Sequence, residues 1–314
     1  MDSDHNRQPE GEPRQWTSRS IGSSFQHQFF YTLIRIGGRR LAYFFLYFIV
    51  LYYILFRPSV RKKCDFYLSR RFPNDSLFKR MIHRYRLSLE LGKVLIDRAI
   101  IGILGYEKLS ISFEKKEILT NLISEGNGII FLMAHVGCWQ AALSALGYLK
   151  IPVNMVIHRE EGDIDRHYFE HQSTQSPFRI IDPGGYLGGT LEMMDVLKKG
   201  EVLCLMGDRI FGNPKNSVSI DFLGERAFFP FSAFKVASAT GSPIVILITF
   251  KKDVTNFGLD LAKVIYVPEK LGRSGENFKP YVSEFVNVLE KYTEMHPFQF
   301  FNFYDIWEKP NSFN

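Results

Sequence analysis

A chain of 314 residues, 46% hydrophobic and 23% charged, is long for one domain and short for two large ones, and it can bury a full core; a disordered or collagen-like polypeptide is excluded. Aromatic residues reach 15% and the formal charge is +6, a balance that suits an anionic partner: lipid headgroups, nucleic acid or an acidic carrier protein. The cysteines are Cys64, Cys138 and Cys204, with no Cys-x-x-Cys spacing, which speaks against a disulfide framework and a structural zinc site.

Residues 1–20 are polar and read as a loose tail. They lack the basic start and apolar stretch of a signal peptide. Phe25, Phe29, Leu33 and Ile36 fall on one helical face, suited either to a membrane interface or to the protein's own core. Residues 41–56 are uniformly apolar. As a helix they measure about 24 Å, short of the roughly 30 Å of a bilayer core. Arg39 and Arg40 precede the run, and Arg57, Arg61, Lys62 and Lys63 follow it. Positive charge on both flanks fits a shallow or re-entrant segment with both ends on the cytoplasmic face; a buried soluble helix is the alternative. The expected division is a tail over 1–20, a membrane-associated helical segment over 21–57 and an α/β domain over 58–314.

Residues 60–125 read mostly as helix, with turn signals at Pro73-Asn74-Asp75 and near Gly102. Beyond Gly126 short apolar runs predict strands over 128–134, 152–157, 178–182, 201–206, 218–223, 243–250 and 258–267. Helices are predicted from the first strand to Lys150, along a stripe of Leu187, Leu191, Met194 and Leu197, and from Phe231 to Gly241. A last one spans 278–293, with Phe278, Val282, Phe285 and Leu289 as its apolar face. The alternation predicts an α/β fold, a largely parallel sheet flanked by helices, behind an N-terminal helical membrane-associated region.

Chemistry concentrates at two strand ends. In AHVGCWQ (134–140) His135 follows an apolar strand and precedes a helix, at the edge of an α/β sheet where ligands bind. Gly137 lets the backbone approach a ligand, and a helix start offers N–H groups to a developing negative charge. A neutral imidazole there can take a proton from a hydroxyl, or can simply be tied to the strand end by hydrogen bonds. In MGDRIFG (206–212) Asp208 reaches His135 if the two preceding strands are neighbours, and Arg209 can then hold a phosphate or an oxyanion. The alternative is a surface Asp–Arg pair in a turn. Cys138 is either a thiol nucleophile at a helix start or a small buried residue. His167 and His171 lie four apart without a third ligand at useful spacing, so no metal is expected. Lys and Arg are scattered without a nucleic-acid-reading motif, and nucleic acid is not expected as a partner.

Together these blocks resemble the lysophospholipid acyltransferase superfamily, in the branch of the bacterial lipid A late acyltransferases. That family's first block is His, four residues, then Asp or Glu; here it runs from His135 to Gln140. GDRIFG is similar to its later acidic block, and GERAFFPFSAFKVASATGSPIV (224–245) to its aromatic-Pro-Phe segment. Trp16 with Gly22-Ser23, Gly38-Arg39-Arg40 and the terminal FNFYDIW (301–307) resemble a predicted-acyltransferase subgroup, so the likeness spans nearly the whole chain.

The resemblance implies a membrane-associated acyltransferase at the cytoplasmic face of the inner membrane. It implies a fatty acyl thioester of acyl carrier protein or coenzyme A as donor and a lipid or glycolipid as acceptor, without a cofactor. His135, Asp208, Arg209 and Gln140 would be catalytic, and Gly137, Cys138 and Arg159 would bind substrate. Gln140 departs from the pattern, because an amide cannot stabilise an imidazolium by charge. Either Asp208 supplies the carboxylate, or the protein has lost catalysis and binds lipid or carrier. An arginine that lipid A enzymes carry between the blocks has Arg159, Arg166 and Arg179 as stand-ins.

Overall fold

The computed structural model describes residues 24–105, 108–139, 149–157, 178–184, 189–210 and 214–308. Three helices lead the described residues: α1 (Ser24–Phe56), α2 (Pro58–Arg71) and α3 (Leu77–Leu104). Gly38 kinks α1, at φ 62°. Pro58 opens α2 at a position whose missing N–H costs nothing, and Ser76 caps α3 by accepting a hydrogen bond from the Lys79 N–H.

These helices make a core of their own. Leu33, Ile34, Ala42, Leu46, Val50 and Ile54 of α1 pack with Leu89, Ile96 and Ile100 of α3. Of the face predicted at the start of α1, Leu33 is buried and Phe29 packs beside it, whereas Ile36 is 77% exposed and Ile34 takes its place in the core. Contact with α3 decides the buried side, and a stripe drawn from three- and four-residue spacing cannot.

The α/β part follows as β1 (Ser110–Phe113), α4 (Lys116–Ser124), β2 (Ile129–Met133), β3 (Val153–Val156), β4 (Phe178–Ile181), α5 (Thr190–Lys198) and β5 (Val202–Met206). Then come the hairpin β6 (Ser217–Phe222) and β7 (Glu225–Pro230), α6 (Ser232–Thr240), β8 (Ile244–Lys251), β9 (Asn256–Ile265) and α7 (Gly275–Met295). The seven-stranded sheet has the order β1-β9-β8-β2-β5-β3-β4 and is parallel except between β8 and β9, as the α/β reading expects. Every residue of β2 is buried, consistent with a strand covered on both faces.

Three details depart from the sequence expectation. Residues 110–113, read as part of a helical stretch, form the edge strand β1 and pair with β9 far along the chain. Residues 217–222 leave the main sheet and pair antiparallel with β7, which lay unrecognised in the aromatic-Pro-Phe segment. In α5 the core takes Met193, Val196 and Leu197, while Leu191 is exposed. The stripe of α7 is as expected: Phe278, Val282, Phe285 and Leu289 are fully buried.

Candidate active site

Strands β2 and β5 are immediate neighbours, with Met133 opposite Met206. Two residues further on, in the same register, stand His135 and Asp208. The expectation that the two blocks meet rested on this adjacency. His135 Nδ1 lies 2.9 Å from Asp208 Oδ1, and the His135 backbone N–H donates to Asp208 Oδ2 at 3.1 Å. Asp208 is fully buried, while the His135 side chain is 25% exposed. A carboxylate against Nδ1 selects the tautomer protonated there and makes Nε2 the basic nitrogen.

The electrostatics suit a neutral imidazole. Burial pulls the His135 pKa below its ordinary value, and the Arg209 charge pulls it further; Asp208 opposes both, and Arg98 of α3 adds to the lowering. Burial alone would raise the Asp208 carboxyl, but the pairing with His135 and the Arg209 charge hold it below the usual carboxylate value. Burial brings the Arg209 guanidinium down to about 10, against the pull of Asp208, so it is charged at neutral pH.

The loop 134–137 is pinned from two sides. The Val136 N–H turns back to Ala134 O at 2.8 Å, and Thr249 Oγ1 of β8 donates to Val136 O at 2.9 Å. From the other side the C-terminal segment arrives: the Gly137 N–H donates to Gln299 O at 3.0 Å, and the Phe301 N–H to His135 O at 2.7 Å. This changes the reading of Gly137. Its φ is +52°, and a Cβ there would stand 2.2 Å from Thr249 O. The close approach that requires glycine is to β8, not to a ligand, and its N–H already has a carbonyl acceptor. The N–H groups expected near Gly137 for an oxyanion therefore do not include its own, which is engaged by Gln299 O.

Arg209 is held by the same segment. Its Nε donates to Asn302 Oδ1 at 3.2 Å and its Nη2 to Phe301 O at 2.9 Å, while Asn302 Nδ2 donates to Asp208 O at 2.8 Å. Asn302 is 2% exposed and thus ties both members of the Asp208-Arg209 pair with one side chain. Sequence reasoning used FNFYDIW only as a point of resemblance and missed this role. An amide in an aromatic segment some ninety residues past the acid carries no local signal of it. Arg98, whose guanidinium lies 6.0 Å from the Trp139 ring, was missed in the same way.

Asn302→Ala is expected to leave Asp208 O and Arg209 Nε without this partner, costing about 1–3 kcal/mol of stability. With Arg209 loosened, its lowering effect on His135 weakens. The acid limb of a pH–rate profile should then move to higher pH, with a rate loss of about tenfold. An unmoved limb would mean that Asn302 serves the fold alone.

The remaining candidates separate. Cys138 is completely buried, which favours the small-core-residue alternative over contact with substrate. Arg179 reaches Glu201 at 3.5 Å, at the start of β5 and so the end opposite Asp208. Gln140, Arg159, Arg166, His167 and His171 lie outside the described residues. Among the described residues no group of three or more His, Cys, Asp or Glu could hold a metal ion.

The family model described as bacterial lipid A biosynthesis acyltransferase matches residues 14–309, which covers the helical layer, the sheet and the C-terminal clamp. A search of curated proteins finds no match.

Proposed function

The chain belongs to the bacterial lipid A biosynthesis acyltransferase family, and from that premise we propose that it moves a fatty acyl group from a thioester to a hydroxyl or amine of a lipid or glycolipid, with His135 as general base. The observation that carries the reading is the 2.9 Å contact between His135 Nδ1 and a fully buried Asp208 at adjacent strand ends. The donor is an acyl thioester of acyl carrier protein or coenzyme A. The work is done at the cytoplasmic surface of the inner membrane.

Nε2 of His135 takes the acceptor's proton as the acceptor oxygen or nitrogen attacks the thioester carbonyl. The new bond to the acyl carbon forms and a tetrahedral oxyanion appears. Arg209, aimed by Phe301 O and Asn302, is the cation suited to that charge. Collapse breaks the carbon–sulfur bond, and the imidazolium returns its proton to the departing thiolate. Asp208 keeps the ring oriented and offsets its charge while it is protonated. In this scheme Gln140, at the position of the family block's acid, orients and does not titrate.

A second reading, a non-catalytic lipid or carrier binder, draws on that same Gln140. One assay separates the two. The purified protein is given labelled acyl thioester and lipid A precursor, and the products are identified by mass spectrometry. An acylated lipid is the expected product, and Gln140→Glu should keep or raise its yield. No turnover in either version would sink the enzyme reading, and free fatty acid alone would mark a thioesterase.

A further inference from the structure

Two adjoining cavities lie beside the catalytic loop, on its β8 side. β8 runs parallel to β2, so Lys251 at its end stands at the same edge of the sheet as His135. The Gln299 side chain brackets Lys251: its Oε1 accepts the Lys251 N–H at 2.7 Å, and its Nε2 donates to Lys251 O at 3.0 Å. The backbone carbonyl of the same glutamine holds the Gly137 N–H. Gln299 lines a cavity of about 480 Å³, and a second of about 580 Å³ shares Tyr43, Tyr47 and Val254 with it. The acyl-transfer scheme places nothing in either.

Their walls are cationic. Arg39 and Arg40 line the larger cavity, and Arg86, Lys93, Lys251 and Lys252 the smaller; Glu90 and Asp253 are the acids among the described lining residues. Both acids are committed. Glu90 Oε1 accepts from Lys93 at 2.7 Å. Asp253 folds into the turn between β8 and β9, where it accepts from the Thr255 and Asn256 N–H groups and from Asn256 Nδ2. Behind the wall, the buried Asp97 of α3 meets Arg39 Nε at 2.9 Å and accepts from the Tyr43 hydroxyl at 2.8 Å, which fastens α1 along α3. Lys251 pairs with the same carboxylate, so one acid serves two cations. With Asp97 counted, the two cavities still hold three positive charges in excess.

The excess cations are set for a small anion. The Arg86 guanidinium lies 4.0 Å from the centre of the Phe298 ring, a contact that holds its fork of N–H donors in place. Lys252 Nζ is steadied by donating to Ser112 Oγ at 2.8 Å. The Gly38-Arg39-Arg40 motif divides its labour: Arg39 secures the helices, while Arg40 is exposed at the cavity wall. Burial lowers the Lys251 pKa against the pull of Asp97, and an anion in the cavity would offset that cost. Cavities of this size take a small group and not a protein surface. Guanidinium and ammonium donors around a small space match the oxygens of a phosphate.

We propose that the two cavities form a cationic subsite for a phosphate ester carried by a substrate of the acyl transfer, with Arg40, Arg86 and Lys252 as its binding cations. Either substrate can supply that group. Both candidate donors hold the acyl chain on a phosphopantetheine arm, and a lipid acceptor can carry phosphate in its headgroup. The inference rests on the acyl-transfer reading for the source of the ester. Its test reads binding and not turnover, so either idea can fail alone.

The test is an equilibrium titration of the purified full chain in detergent with two pairs of soluble probes. 4′-Phosphopantetheine is compared with pantetheine, and glucose 1-phosphate with glucose. In at least one pair the phosphorylated probe should bind about tenfold more tightly or better, and the pair that does so identifies donor or acceptor as the source. Equal binding within both pairs would overturn the subsite. Inorganic phosphate binding as tightly as the better ester would overturn the assignment to an ester. Arg40→Gln with Lys252→Gln, and separately Arg86→Gln, should each weaken the phosphorylated probe about tenfold and leave its unphosphorylated counterpart unchanged. These side chains are exposed, so the variants should fold. Lys62→Gln with Lys63→Gln removes two exposed charges of α2 outside the cavities and should leave binding unchanged. An equal loss in that control would mean attraction by overall charge, and the subsite would fall.

Discussion

Replacement of His135 by alanine should lower turnover by about 10²–10⁴-fold, the usual contribution of a positioned general base. The loss belongs in kcat/KM with labelled acyl thioester and lipid acceptor. The side chain is partly exposed, and Asp208 still accepts from the backbone N–H at 135, so the fold should survive. Circular dichroism and an intact cooperative unfolding transition would confirm that. The wild-type profile carries a second signature. Burial and Arg209 hold the His135 pKa below the ordinary imidazole value, so the neutral, basic form persists through neutral pH. Activity should disappear only as the pH falls through that lowered pKa, below about 6.5. Turnover unchanged in the alanine variant would end the general-base role.

Asp208→Asn is expected to lose about as much, roughly 10²–10⁴-fold, by a different route. The amide keeps the volume but removes the charge that offsets an imidazolium. Its N–H₂ can also face Nδ1, which would select the wrong tautomer. Asp208 raises the His135 pKa, so the residual activity should show an acid limb at still lower pH. Asn302→Ala should move the same limb the other way. Two variants on one hydrogen-bonded chain with opposite shifts test the electrostatic account more sharply than rate losses do. An Asp208→Asn protein with wild-type kcat would mean that no carboxylate at 208 is needed for the proton transfer, and Gln140→Glu would then show whether an acid at 140 raises the rate.

The local text was informative wherever a property repeats along the chain. An all-apolar run of strand length announced β2 and β5, and a four-residue stripe announced the buried face of α7. The polar residues just past two such strands, His135 and Asp208, stood out because a buried strand gives way to ionisable groups at its end. The short edge strand β1 was not legible, since its four residues are held by β9 across the chain and not by their own pattern. Nor was the division of α1 into two faces, because a helix apolar all round offers no contrast from which to choose.

Composition and periodicity by themselves determined the α/β class, the two strand ends that hold ionisable groups and the basic, apolar N-terminal region. Tertiary structure decided that β2 lies beside β5, that Gly137 answers to Thr249 O and that Asn302 secures Arg209. It also decided that Asp97 fastens α1 along α3. The reason is physical. Helix and strand preferences are carried by neighbouring residues, whereas a hydrogen bond between groups some ninety residues apart exists only once a sheet and a core have set both ends in place.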